Sequence, residues 1–416
     1  MMDYRRTERR DAPPIAATAG KIAALKGVPA AAKTVLLGCL KLSHGALTIT
    51  LPSGESLRFG DLDGPQTAMR VRRYDFANKL LASGDIGFGE GWMAGDWETD
   101  DLSALLTFLA ANTDRIRHMF RGGPIGRVVN FFRHLSRENT RSGSRRNIVA
   151  HYDLGNSFYS AWLDPTMTYS SARYETGAED LQEAQLSKYR ALAKRLDLQP
   201  GDHVLEIGCG WGGFAEVAAK EFGARVTGLT LSDEQLAFAR ERMARQGLSD
   251  QVEIRLQDYR DVEGHFDKVA SIEMFEAVGE RYWPIYFRKI AEVLKSGGAA
   301  ALQIITIRDE LFAEYKRRSD FIQRYVFPGG MLASVERLRQ ECAEAGLVWR
   351  DLDAFGQSYA DTLAEWSKRF TAKWDEIQPL GFDERFKQLW RFYLSYCEAG
   401  FRTGRTDVVQ LALAKA

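Results

Sequence analysis

The sequence predicts an α/β protein built on a doubly wound parallel sheet, with a smaller α+β domain ahead of it and a helical region behind it. Three observations predict this. From about residue 180 to 305, apolar strands alternate with helices of ten residues or more, the rhythm of a parallel sheet covered on both faces. Within that stretch the strand "HVLEIGC" runs directly into a glycine-rich loop and a helix. And 416 residues exceed what one hydrophobic core usually serves, so more than one domain is expected.

Composition sets bounds. Hydrophobic residues make up 45% and charged residues 27%, as in ordinary globular material. The formal net charge is zero, which argues against a generally cationic nucleic-acid binder. Cys39, Cys209, Cys342 and Cys397 show no C-x-x-C or metal-ligand spacing, so no metal site and a reduced cytoplasmic compartment are expected. No run of about 18 apolar residues occurs. The charged start "MMDYRRTERRDAPP" lacks an apolar core, and residues 1–19 read as a disordered tail.

Residues 20–112 form the first domain. "GALTITLPSGESLRFGD" alternates around Pro52-Ser53-Gly54 and predicts a hairpin, Ala46–Leu51 with Ser56–Phe59. "FANKLLASGDIGFGEGWMAGDW" reads as a short helix and a glycine-rich turn region. "DLSALLTFLAAN" has Leu102, Leu105, Leu106 and Leu109 at helical spacing, with Asp100 or Asp101 as cap. No nucleophile–base pair appears here, so this domain reads as lipid-binding or dimerising. Residues 113–147 are basic, with Arg121, Arg127, Arg133 and Arg137 interleaved with Val128, Val129, Phe131, Phe132 and Leu135. Two readings stand: a segment lying on an anionic membrane surface, or a linker with a solvated basic face.

Residues 148–416 form the catalytic domain. After the helix "DLQEAQLSKYRALAKRLDL" come the strands "HVLEIGC", "ARVTGLTL", "VEIRLQD", "FDKVASIE" and, past a turn "SGG", "AALQIITI", with helices between them. Residues 306–416 read as largely helical and rich in aromatics. The central motif is "VLEIGCGWGGFAE". Its glycines allow a sharp turn and a close ligand. A dinucleotide fold wants an acid near the end of the second strand, but "GLTLS" has none there. Instead Glu206 stands two residues before the first glycine, where a carboxylate suits a ligand with a cationic amino-acid portion. That is the Rossmann-like pattern of class I methyltransferases, which bind S-adenosylmethionine. Asp258 of "LQDYRD" is placed to meet the adenine amino group.

Nearly the whole chain resembles the cyclopropane-fatty-acyl-phospholipid synthase and mycolic-acid methyltransferase family. The resemblance rests on "HYDLGNSFYSAWLDPTMTYSSA", "VLEIGCGWGG", "GLTLSDEQ", "SIEMFEAVG", "YVFPGGMLAS", "FGQSYADTLAEW" and "FYLSYCEAGFRTG". It implies a helical substrate cap after the sheet, and a methyl or methylene carbon moved from S-adenosylmethionine to the double bond of an unsaturated acyl chain in phospholipid. It also implies roles. Tyr169 and Ser170 would close over the cofactor, and Gly208, Gly210, Gly212 and Gly213 would line its methionine end, with Cys209 a small residue facing it. Thr230, Leu231 and Gln235 would take the ribose, and Asp258 and Tyr259 would flank the adenine. Glu276 and Tyr359 match reaction-centre positions, and Cys397 matches a cysteine proposed as an active-site thiol. His151 opens the first motif, either holding a loop or doing acid–base work.

Attack of an alkene on a sulfonium methyl leaves a carbocation. A site for it must align two carbons, exclude water and stabilise positive charge, for which aromatic faces serve. The ring-forming relatives are thought to hold a bicarbonate base with a cysteine and a histidine. Here those positions are Ser171 and Ile305, which weakens an anion site and puts ring closure in question. Glu276, alone or through residual bicarbonate, is expected to orient the base. The alternative product is a methylene, methyl-branched or methylated-diene chain. Two rivals are a small-amine N-methyltransferase and a catalytically silent lipid-binding scaffold. An enzyme on phospholipid would be peripheral on the inner face of the membrane, with a homodimer through the first domain open.

Overall fold

A computed structural model of the protein describes residues 13–120, 154–177 and 179–415. These form two compact units, residues 13–120 with Gln388–Phe392, and the remaining described residues. His151 and most of the basic segment lie outside the described residues.

The first unit holds a five-stranded sheet. Its strands are β1 (Ile15–Ala16), β2 (Ala46–Thr50), β3 (Ser56–Gly60), β4 (Gln66–Val71) and β5 (Trp97–Glu98), in the order β1-β3-β2-β4-β5. The pair β2–β3 is the expected hairpin, antiparallel from Ala46↔Gly60 to Thr50↔Ser56. Leu47 and Ile49 alternate inward along β2, as a half-buried strand requires. Of the two possible caps for helix Leu102–Ala111, Asp101 serves, its carboxylate accepting the Ala104 N–H at 2.9 Å.

The glycine-rich stretch is not a turn region. It is helical, Asp85–Met93, directly after helix Asp75–Ser83. A Cβ at Gly87 would lie 1.9 Å from the Lys79 carbonyl oxygen, so only glycine lets the two helices meet this closely. That packing outweighs the cost of about 1 kcal/mol that glycine brings to a helix interior.

The second unit carries a seven-stranded sheet: β6 (His203–Ile207), β7 (Arg225–Thr230), β8 (Val252–Leu256), β9 (Phe266–Ile272), β10 (Leu294–Ile307), β11 (Leu347–Ala354) and β12 (Thr406–Lys415). The order is β11-β12-β10-β9-β6-β7-β8. Five strands, β8-β7-β6-β9-β10, run parallel as expected, while β12 is antiparallel to both β10 and β11. The C-terminal region is therefore not only helical: β11 and β12 join the sheet beside helices Gly356–Ala372 and Glu384–Arg402. The central residues of β12, Val408 to Leu413, are buried without alternation, and such an apolar run cannot be told from a buried helix by period. The "SGG" read as a turn lies within β10, at a register break between Leu294 and Ala299.

Alternation along β6 positions the site. Leu205 and Ile207 pack with helices Trp283–Val293 and Val335–Glu344. Val204 packs with helices Leu181–Arg195 and Gly213–Phe222. Glu206 alternates onto the side of Val204, burying a carboxylate at the C-terminal end of a central strand, 2% exposed. Among the described residues no helix is long and apolar enough to cross a membrane.

Candidate active site

Two cavities adjoin at the C-terminal edge of the parallel strands and share Tyr169, Glu273 and Ala277 as wall. The first is framed by the glycine loop. Gly208 has φ +83°, and a Cβ there would meet the Met274 side chain at 2.7 Å, so the backbone itself forms the cavity wall. Of the residues expected to hold a cofactor, Tyr169, Ser170, Glu206, Gly208, Cys209, Gly210, Gly213, Thr230, Leu231, Gln235 and Tyr259 line this cavity. Gly212 and Asp258 do not. Gly212 caps the following helix and packs behind the loop, its Cβ position 3.2 Å from Met243. The Asp258 carboxylate accepts the Arg260 backbone N–H at 2.9 Å and the guanidinium at 2.8 Å and 2.5 Å, so its acceptor capacity is engaged locally.

Glu206 gives this cavity its chemical character. Its Oε2 is buried without a hydrogen-bond partner. Burial pushes its carboxyl up to about 8, against the pull of Lys188 and Arg242. An orphaned carboxylate oxygen in a cleft calls for a cation or a donor. The Cys209 thiol is buried and held far above its usual range, so it is a neutral wall.

The second cavity lies between the sheet and the C-terminal helices. Seven aromatic rings line it: Tyr169, Tyr315, Phe327, Tyr359, Tyr393, Tyr396 and Phe401. The Tyr169 hydroxyl pairs with that of Tyr393 at 2.8 Å. Phe158, Tyr159, Trp162, Trp366 and Phe370 back this wall as a contiguous cluster, with Trp162–Trp366 centroids 5.7 Å apart. The opening motif reaches the glycine loop through Asn156, which accepts the Trp211 indole N–H at 2.7 Å.

Three carboxylates stand in this wall: Asp320, which caps helix Phe321–Tyr325 by accepting the Gln323 N–H at 2.8 Å, Glu276 and Glu273. Glu276 accepts the Ile305 backbone N–H on one oxygen and leaves Oε2 buried and unpartnered. Burial, and secondarily the neighbouring Glu273, push it up to about 8. Glu273 faces both cavities. It accepts the Ser171 backbone N–H at 2.8 Å, the Gln303 amide at 2.7 Å and the Tyr359 hydroxyl at 2.7 Å. Burial raises its carboxyl, opposed first by the buried ammonium of Lys188 and then by those donors.

The profile of the family described as mycolic acid cyclopropane synthetase matches residues 139–411. The chain belongs to this family. The chain is 38% identical over 399 residues to the tuberculostearic acid methyltransferase UfaA1 of Mycobacterium tuberculosis, covering 93% of this chain and 92% of that one. It is 36% identical over 352 residues to the cyclopropane-fatty-acyl-phospholipid synthase of Escherichia coli, covering 83% and 87%. Among solved structures, the mycolic acid cyclopropane synthase CmaA1 complexed with SAH and CTAB superposes with a TM-score of 0.62 at 30% identity, over 65% of this chain and 98% of that one. The protein is an S-adenosylmethionine-dependent methyltransferase of class I fold, and Glu206, the bare backbone at Gly208 and the polar residues beside them fit that cofactor.

As a member of the mycolic acid cyclopropane synthetase family, the chain departs from the expected placements at several residues. Ser171 lines neither cavity. Its hydroxyl donates to the Ala172 carbonyl at 2.8 Å, and its contribution to the site is the backbone N–H held by Glu273. Ile305 does reach the second cavity, as an apolar wall. Cys397 lines the same cavity, where burial pushes its thiol above its ordinary range and disfavours the thiolate. Sequence reasoning passed over Glu273, Gln257, Trp211 and Lys188. Glu273 lies three residues before Glu276 in "SIEMFEAVG", close enough to have been weighed as a carboxylate pair.

Proposed function

We propose that this methyltransferase adds a one-carbon unit to the double bond of an unsaturated acyl chain, carried in membrane phospholipid, through a carbocation. The observation that carries the reading is a cavity walled by seven aromatic rings, with the carboxylates of Glu273, Glu276 and Asp320 among them, adjoining the cofactor cavity at Tyr169 and Glu273. Its largely apolar lining suits an acyl chain, and two relatives are named for lipid substrates. When bound, S-adenosylmethionine supplies an electrophilic methyl. The chain's own residues do the rest. The aromatic faces stabilise positive charge developing on the alkyl chain, the buried wall keeps water from trapping it, and Glu273 or Glu276 accepts the departing proton.

The balance is simple. One alkene carbon bonds the incoming methyl and the other becomes cationic. Loss of a proton from the new methyl closes a cyclopropane; loss from an adjacent carbon leaves a methylene or shifted alkene. A saturated methyl branch would need a separate reductant. Ser171 and Ile305 supply no side-chain donor to a bicarbonate base, since the Ser171 hydroxyl is turned to Ala172 and Ile305 has none. The internal carboxylates are the proton acceptors in this reading.

Expression in a host with a known unsaturated phospholipid pool tests it. Lipids should gain 14 mass units, and proton NMR should show either ring or olefinic protons. An unchanged acyl pool, with S-adenosylmethionine binding intact, would sink the lipid reading. The enzyme is further proposed to sit on the inner membrane surface through its basic segment, and to dimerise through its first domain. Neutralising Arg121, Arg127, Arg133 and Arg137 together should weaken co-sedimentation with anionic vesicles, most strongly at low salt. Unchanged sedimentation would leave the segment a linker.

A further inference from the structure

Two stretches of the cofactor cavity wall lie outside helices and strands: Met167 to Ser170 of the opening motif, and Gly208 to Trp211 of the glycine loop. Irregular backbone of this kind keeps its shape through the bonds its polar groups make. Met167 takes φ +53°, a left-handed conformation uncommon for a residue with a side chain. The peptide that leads into it is pinned at both ends. The Met167 N–H donates to the Asp164 carbonyl at 2.9 Å. The Thr166 carbonyl accepts from the Arg242 guanidinium at 2.7 Å.

Arg242 reaches this peptide from helix Asp233–Arg245, with its side chain 12% exposed. The same Nη1 donates to the Trp211 carbonyl of the glycine loop at 3.4 Å. Its Nε donates to Glu216 at 2.5 Å, in the helix that the loop opens. One planar guanidinium thus serves two carbonyls and a carboxylate, a set of directions that the compact ammonium of a lysine does not reproduce. Arg242 does not line the cofactor cavity. With Thr166 and Glu216 it lines a separate one. We infer that Arg242 is a positioning residue for the cofactor: it ties the Thr166–Met167 peptide to the glycine loop and so holds the Met167 end of that wall in place. The Ser170 end is held from helix Leu181–Arg195, where the Tyr189 hydroxyl pairs with that of Thr168 at 2.8 Å and Lys188 donates to the Ser170 hydroxyl at 2.6 Å. Losing the Arg242 bond lets the Thr166 carbonyl turn and Met167 relax toward the negative φ that side chains favour. Cofactor affinity then falls with the fraction of molecules that keep the wall formed. This role is independent of what receives the methyl.

Titration calorimetry of S-adenosylhomocysteine into the full chain tests it, together with hydrogen exchange of the unliganded protein. Arg242→Gln should weaken binding by about tenfold or more, the scale of a lost hydrogen bond to a charged group. Arg242→Lys keeps the positive charge that Glu206 and Glu216 face, and should still weaken binding by at least about threefold, because the fork is lost. Glu216→Gln removes the ion pair but leaves an acceptor for Nε and both carbonyl contacts, so its affinity should stay within about threefold of native. In Arg242→Gln the amides from Met167 to Ser171 should exchange faster, while helices Gly213–Phe222 and Asp233–Arg245 keep native protection. An Arg242→Gln protein with native affinity would overturn the inference. So would the reverse ranking, with Glu216→Gln as damaging as Arg242→Gln and Arg242→Lys harmless, which would leave Arg242 a helix-to-helix ion pair. Protection lost throughout both helices would overturn it as well. If Arg242→Gln does not fold, Arg242→Lys and Glu216→Gln decide: native affinity in Arg242→Lys would equally refute the role.

Discussion

Glu273→Gln is expected to lower lipid methylation by about 10²- to 10⁴-fold, the range typical of losing a positioned acid–base group, with cofactor affinity changed only a few-fold. Glutamine keeps the volume and a carbonyl acceptor for the Tyr359 hydroxyl, the Ser171 amide or Gln303, so packing is nearly preserved. What it removes is an oxygen that can take up and release a proton at the junction of the two cavities. Glu276→Gln should cost less. Its carboxyl, pushed up to about 8, is already mostly protonated at neutral pH, and its Ile305 contact survives as an amide acceptor. The two variants assayed side by side on unsaturated phospholipid, with isothermal titration of S-adenosylhomocysteine as the control, rank the carboxylates. Equal or reversed losses would reassign the proton acceptor to Glu276. A Glu273→Gln enzyme that retains full turnover would remove this carboxylate from the chemistry altogether.

The parallel sheet and the glycine loop were legible because their signals are local. A strand, a turn and a helix lie contiguous in "HVLEIGCGWGGFAE", and Glu206 is marked out by its place on that strand. The spacing of Glu273 from Glu276 was legible, but the side it faces was not, for a geometric reason. It takes φ +48°, a left-handed conformation uncommon outside glycine, and this turns its carboxylate toward the same wall as Glu276. No pattern in "SIEMFEAVG" announces that bend. Asp258 differs from its expected placement for another reason. Its strand-end position is as read, but Arg260 two residues on takes its carboxylate, and local pairing of that kind is decided by side-chain conformation. Lys188 carried a signal that went unused: at the spacing of Leu181, Ala184, Gln185 and Leu192 it is the lysine that falls on the apolar stripe, while Lys194 and Arg195 fall in the last turn.

Cofactor affinity is expected to rise with pH, by about tenfold per unit from pH 6 and levelling near pH 8, and Glu206→Gln should abolish that slope. In the free enzyme Glu206 is protonated below about 8, because burial disfavours its charge. S-adenosylmethionine carries a cationic amino group at neutral pH, and a cation against Glu206 favours the carboxylate. The complex then holds one proton fewer than the free enzyme between pH 6 and 8, so raising pH over that window favours the complex. Titration calorimetry in two buffers of different ionisation enthalpy should count close to one proton released at pH 6.5 and a small fraction above pH 8.5. At pH 8 the Glu206→Gln enzyme should bind about tenfold to a hundredfold more weakly than the native one, the worth of a hydrogen bond to a charged group. At pH 6 the two should nearly converge, since the native carboxyl must first give up its proton. Lys188 and Arg242 also face Glu206, and the variant leaves both in place, so a slope that persists in Glu206→Gln would assign the proton to one of the other buried acids, Asp164 or Glu273. A native affinity flat across the window would instead mean that Glu206 is ionised before the cofactor arrives, with Lys188 rather than the ligand as its counter-charge.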